Sequence, residues 1–441
     1  MRWLRGNWRV AVILGVGYAA FMIYAYPGYM SIDSGVSLLE GRAGHYSDWH
    51  PPMVGWLWHI VDWVIKGPLG MLLLQSTAFL AGLYLWLRRA YQPTAAAALA
   101  VAVFLFPPVV APMAVVWKDC QMAAYLLLGF ALVLSDRRWV RVFGFVLLTL
   151  GCGMRDNSPS TTLPFLVIAF TWKPAPKWFV RIGAAVAIWV VMSTVAIGFN
   201  KEMTDKRQYA WHTAVATHDI IGTLRFTKPW YADEELEKIL AGTPLVVHKD
   251  IHRAMWKEYT PVSWWPLLND DNRIFNWPET PEHRAALERA WKQIVSEHPR
   301  EYLLHRWRVF REVIGLVPHA MMSPMFHGQP SSDYVNALHL DYTPTAFQNK
   351  IGDGLLWLAT DTHLFRPYMY FALALCFLPL ALRYRDVLGL LATGIVYELT
   401  FLPFGGGDVR YSHYMTITVL VVGLILFRRR YGERSPALDT R

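Results

Sequence analysis

The chain has 441 residues, 54% of them hydrophobic and 15% aromatic, with a formal net charge of +9 and a mean hydropathy of +0.24. Soluble proteins of this length usually stay near about 45–50% apolar, so these values exclude an ordinary soluble enzyme and point to a polytopic membrane protein. The positive charge does not form a nucleic-acid-binding stripe, because it falls in short clusters beside apolar runs, such as Arg88/Arg89, Arg137/Arg138/Arg141 and Arg428/Arg429/Arg430.

In chain order, apolar segments near the roughly 20 residues that cross a bilayer fall at about 9–26, 68–87, 93–107, 119–135, 142–154, 159–171, 181–199, 366–382, 387–403 and 412–427. The first follows a basic start, lacks a small-residue cleavage site and is expected to be an uncleaved helix. The run 53–65 is broken by His59 and Asp62 and reads as a helix lying along the membrane surface. The sequence thus predicts an all-α protein with about ten spanning helices. Residues 1–199 form a seven-helix module, 200–365 a mostly helical domain outside the membrane, and 366–441 three further helices with a tail. Within 200–365, Thr280 is placed to cap a helix that runs through Trp291, Ile294 and Val295. No internal repeat is visible.

Orientation follows from the Lys/Arg bias. With both termini cytoplasmic, Arg88/Arg89, Arg137 to Arg141, Lys173 to Arg181, Arg383/Arg385 and Arg428 to Arg430 all fall inside. The loops carrying chemistry then share the external face. The first, "YPGYMSIDSGVSLLEGRAGHYSDWHPP", holds Asp33, Glu40, Asp48 and His50. Asp33 reads either as a base tuned by partial desolvation or, like Ser31, as a helix cap. Asp48 and His50 before two prolines read either as a rigid pair that orients a substrate or as another cap; Glu40 reads as helix surface.

"VVWKDC" places Lys118 and Asp119 at a helix start, suited to a phosphate or to snorkelling and capping. "MRDNS" puts Arg155 and Asn157 on the side where arginine is rare, with Asp156 as an alternative partner. "GGGDVRYSH" carries Asp408, Arg410, Tyr411 and His413 after three glycines that let backbone approach a ligand closely. A guanidinium fork suits phosphate, and a salt bridge from Asp408 to Arg410 is the plainer alternative. The histidines His212, His218, His248 and His252 lack metal-ligand spacing, Cys120, Cys152 and Cys376 all lie in apolar runs, and no metal ligand is assigned. No phosphate-loop, dinucleotide or G-x-S-x-G motif occurs. Asp33, Asp48, His50, Lys118, Arg155 and Arg410 therefore form one expected constellation at the membrane boundary, acids for chemistry and cations for phosphate.

With Asp33 after the first helix, "DWHPP" at 48–52, "WKD" at 117–119, "RDN" at 155–157 and Arg410–Tyr411, the chain resembles the GT-C superfamily of integral-membrane glycosyltransferases. The resemblance is best over the first 200 residues or so, with a "HP..YL.HR" run at His298 to Arg306 in the long insert. It implies a polyprenyl-phosphate-sugar donor, a glycan or lipid acceptor of the cell envelope, and Asp33 as the base of an inverting transfer in a bacterial cytoplasmic membrane. From the constellation itself, Lys118, Arg155 and Arg410 are expected to contact the donor phosphate, and His50, Asp119, Asn157 and Tyr411 the substrate. Ile32 and Ser34 flank Asp33, so the paired acidic motif of some members is missing. Asp48 is the candidate second acid, no cofactor is assigned, and a divalent metal is left open. A lipid-linked-sugar flippase and a ligase transferring a polymer from a lipid diphosphate are the competing expectations. The flippase would need ionisable groups along a path, whereas Glu398 alone departs from the boundary cluster.

Overall fold

The computed structural model describes residues 2–169, 177–269, 271–317, 325–328, 333–340 and 342–432. Its regular secondary structure is almost all helix. The first half runs α1 Arg2–Ala25, α2 Ile32–Ala43, α3 Pro52–Val64, α4 Leu69–Leu87, α5 Pro93–Phe104, α6 Pro107–Met113, α7 Lys118–Val133, α8 Arg138–Gly153, α9 Ser158–Ile168 and α10 Trp178–Met203. A middle region follows with α11 Thr217–Phe226, α12 Asp233–Ile239, α13 Ile251–Glu258, α14 Pro266–Asn269, α15 Pro281–Glu297, α16 Pro299–Val313, α17 Asp333–Asn336 and α18 Ala346–Asp361. The chain closes with α19 Pro367–Ala381, α20 Arg385–Leu399, α21 Phe401–Phe404 and α22 His413–Gly432. The sheet among the described residues is one short parallel pair, β1 Tyr46–Ser47 beside β2 Thr204–Lys206.

An all-α membrane protein is what these elements make, but the expected ten spans are not all present. Among the described residues, five helices are long and apolar enough to cross a bilayer: Trp8–Ala25, Leu69–Leu87, Trp178–Met203, Arg385–Pro403 and Val409–Tyr431. The segment expected as one span at 93–107 is instead α5 and α6 bent by 70°, a sixth span if the pair is counted as one. Pro107 and Pro108 open α6, and proline cannot carry the helical ladder through that point. The other expected spans are shorter than about 20 residues: α7 and α8 have 16 each, α9 has 11 and α19 has 15. α7 shows why hydropathy misled. Most of its residues are buried against other protein, so their apolar character fills a core as well as a bilayer would require. The end of the segment expected at 159–171, and the tail after 432, lie outside the described residues.

Helix ends follow local chemistry. Ser31 caps α2 in a reciprocal box with Ser34, and Gly44 ends that helix at φ 69°. Thr280 caps α15 by accepting from His283 N–H, as its position predicts. Two cores form. The larger joins α1–α10 to α19–α22 and takes in Phe310, Val313, Leu355 and Phe365 from the middle region. The smaller is built by Ile220, Leu236, Met255, Leu287 and Ile294 and lies within the segment 220–294.

Backbone contact between helices depends on small residues. A Cβ on Gly144 of α8 would sit 2.9 Å from Val133 N and 3.0 Å from Gly129 O of α7, both fixed backbone atoms. We predict that Gly144→Leu separates α7 from α8 and destabilises the protein by about 1–3 kcal/mol. The thermal midpoint of the detergent-purified protein reads this, and an unchanged midpoint contradicts it.

Candidate functional site

The first loop and the loop before α7 are stitched together by backbone bonds. Tyr29 N–H donates to Ala114 O at 2.9 Å, and Val116 N–H donates to Tyr29 O at 2.9 Å. Ser34 Oγ–H donates to Val116 O at 2.8 Å, and Trp117 Nε1–H donates to Ser31 Oγ at 2.8 Å. These contacts bring the start of α2 beside the start of α7. Because Ser31 is the cap, Asp33 in the first turn of α2 keeps its carboxylate for other partners.

Those partners come from the far end of the chain. Arg410 Nη2 donates to Asp33 Oδ2 at 2.6 Å, across 377 positions of sequence. The same guanidinium has its Nε 2.7 Å from Asp408 Oδ2 and its plane 5.0 Å from the ring of Trp117. Asp408 also accepts from Arg410 N–H at 3.0 Å, so it caps the short turn Val409–Ser412 that presents the arginine. Gly407 N–H donates to Val262 O at 3.0 Å, and a Cβ at Gly407 would lie 2.9 Å from Val262 Cα. This close approach of the glycine loop to the middle region is reinforced by Arg306, which donates to Gly405 O at 3.1 Å and pairs with buried Asp219 at 2.8 Å.

Lys118 Nζ donates to His50 Nδ1 at 2.9 Å, and His50 Nε2 lies 3.8 Å from Asp33 Oδ1, beyond a good hydrogen bond. Burial, joined by the charge of Lys118, pushes His50 down to about 3, so its imidazole is neutral near pH 7. Burial and the nearby Arg155 also lower the Lys118 ammonium from its usual range. For Asp33, burial raises the carboxyl, but Arg410, His50 and Lys118 overcome that and hold it well below the ordinary carboxylate range. Burial pushes Asp408 the other way. Asp33 keeps 32% side-chain exposure, so the ionised oxygen is reachable.

Arg155 pairs with Asp119, and its guanidinium lies 4.3 Å from the ring centre of Tyr411. That ring stacks on Phe401 at 5.1 Å. Asn157 donates to Thr400 Oγ1 at 2.7 Å. Lys118, Arg155, Asn157, Phe401, Gly406 and Tyr411 line one cavity of about 190 Å³. Among the described residues, Lys118 is the site cation that has no carboxylate partner.

The expected residues thus converge, with exceptions. Asp48 is not a second acid beside Asp33. Its two oxygens accept the N–H groups of Gln208 and Tyr209, and its own N–H bonds Lys206 O at 3.2 Å, which fastens the first loop to the chain after α10. The plainer expectation for Arg410, a salt bridge to Asp408, is met; Asp119 does not cap α7 as its plainer expectation had it, and pairs instead with Arg155. Glu40 is more than helix surface, since it accepts from Ser47 N–H at 3.1 Å and from the Ser47 hydroxyl at 2.5 Å. Sequence reasoning missed Phe401 and Thr400, which carry no local signal; Trp117 and Arg306 stood in the motifs quoted for the resemblance but were given no role at the site.

No family model, curated protein or solved structure matches this chain.

The Arg155–Asp119 pair is largely buried, with side-chain exposures of 11% and 3%. Removing one partner of such a pair leaves an uncompensated charge. We predict that Arg155→Ala destabilises the protein by roughly 3–5 kcal/mol, and that Asp119→Leu added to Arg155→Ala recovers part of that loss. Thermal or denaturant unfolding of both variants measures it; a double variant no more stable than Arg155→Ala contradicts the assignment.

Proposed function

We propose that the protein is a glycosyltransferase that moves a sugar from a polyprenyl-phosphate donor to a cell-envelope glycan or lipid acceptor. The observation that carries this reading is the meeting of a reachable carboxylate, Asp33, with Arg410 and Lys118 beside a cavity of about 190 Å³ at one end of a membrane-type helix bundle. A lipid-borne phosphate presents its charge at that depth, and a guanidinium with a nearby ammonium is a fitting receptor for it. The Lys/Arg bias of the opposite end supports a bacterial cytoplasmic membrane with the site on the external face and both termini inside.

In the proposed step the acceptor hydroxyl oxygen attacks the anomeric carbon from the face opposite the phosphate. The bond from that carbon to the phosphate oxygen breaks, the polyprenyl phosphate leaves with the electron pair, and the hydroxyl proton passes to Asp33. The anomeric centre inverts. Held by Arg410, Asp33 is ionised but weakly basic. Donor phosphate binding to Arg410 would loosen that pair and raise the basicity of Asp33 when the acceptor is to be deprotonated. Lys118 supplies the charge that balances the departing phosphate. Arg155 lines the same cavity but is already paired with Asp119, so it acts chiefly by shaping the wall with Tyr411.

Two outcomes test this. Asp33→Asn should lower transfer from a polyprenyl-phosphate sugar by about 10²–10⁴-fold while the protein still inserts and folds, with a thermal midpoint lowered by the lost pair to Arg410, and Asp48→Asn should leave transfer near the wild-type rate. A fully active Asp33→Asn protein would sink the reading. The sign of the pH effect follows from the lowered Asp33 and His50: the base is ionised and the imidazole neutral well below neutrality. The kcat/KM for the donor should therefore show no acid limb between about pH 5 and 7. A limb centred there would mean that another group is the base.

A further inference from the structure

At the end of the bundle opposite Asp33 lies a larger cavity of about 880 Å³, fenced by α7, α8, α9, α10 and α20. Its polar lining is dominated by Arg89, Arg138, Arg141 and Arg385, with Asp136 and Asp386. Asp386 is already satisfied: Arg429 grips both its oxygens at 2.9 Å, and Arg89 Nε adds a third bond at 2.9 Å. Asp136 is exposed, and none of its carboxylate contacts is an ion pair among the described residues. Arg141 gives one hydrogen bond, to Asp136 O at 3.3 Å, while its Nε is buried with no partner. Arg138 and Arg385 are exposed and make no ion pair among the described residues. Both also begin helices of 16 and 15 residues, whose first turns add positive potential toward the same space.

Apart from Ser135, the rest of the lining is apolar, including Leu134, Phe145 and Ile188. On α8, beside the arginines, Trp139 is 68% exposed and Val142 62%, an apolar surface suited to acyl chains and the headgroup boundary. A free inorganic anion would use the arginines and leave the apolar wall unused. A ligand with an anionic head and a hydrocarbon body uses both.

We propose that this cavity binds an anionic phospholipid, its headgroup phosphate on Arg138, Arg141 and Arg385 and its acyl chain along the wall of α7, α8 and α10. The site is separate from Asp33 and independent of the transfer reaction. Its occupant links α8 to α20 and so acts as a lipid strut for the bundle.

The experiment is native mass spectrometry of the full chain released from vesicles of equal phosphatidylglycerol and phosphatidylcholine. Wild type should retain phosphatidylglycerol selectively, and the triple variant Arg138→Ala/Arg141→Ala/Arg385→Ala should lose that selectivity by at least about tenfold, given roughly one kcal/mol per arginine at a membrane surface. If the triple variant does not fold, the exposed pair Arg138→Gln/Arg385→Gln serves, with partial loss expected. Equal retention of both lipids by wild type, or unchanged selectivity in a folded variant, overturns the proposal. So does full displacement of phosphatidylglycerol by an equal concentration of inorganic phosphate, which would make the cavity a free-anion site.

Discussion

Arg410 holds the site together. It stands between Asp33 from the first loop and Asp408 from the glycine loop, with Trp117 against its face. A buried guanidinium needs paired charge around it, and two carboxylates supply that charge here. The cost of leaving any of the three unpaired forces the ends of a long chain into one place. The stitches between Tyr29 and the segment Ala114–Val116 then put Lys118 and His50 beside the same acid.

The middle region takes part in this constraint. Val262 and Arg306 fix the glycine loop through backbone bonds, and Arg306 is in turn fixed by buried Asp219, which also accepts from Trp291 Nε1–H at 2.9 Å. A path of packed and hydrogen-bonded groups therefore runs from the smaller core to the loop that presents Arg410. The region thus acts as a clamp on the glycine loop from Gly405 to Asp408.

Much of the site was legible because its residues are chemically conspicuous where they stand. Arg155 and Arg410 fall in loops that the charge bias makes poor in arginine, and Asp33 and Lys118 flank apolar helices. What was not legible is pairing. Nothing local says that Asp48 spends both oxygens on Gln208 and Tyr209, or that Ser31 takes the cap and frees Asp33. The span count failed for a related reason. Hydropathy reports burial but not what does the burying, so α7, enclosed by protein, looks like a helix enclosed by lipid. The bend at Pro107 was readable from the two prolines, yet a single apolar run concealed it.

The central claim is that Arg410 exchanges Asp33 for a lipid-borne phosphate. Its most direct test is an experimental structure of the full protein with a non-transferable phosphonate analogue of a polyprenyl-phosphate sugar. The account predicts the phosphonate within hydrogen-bond reach of Arg410 and Lys118, with Asp33 drawn off the guanidinium toward the sugar. An analogue bound elsewhere, or one bound there with the Asp33–Arg410 pair intact and Asp33 turned from the sugar, contradicts it.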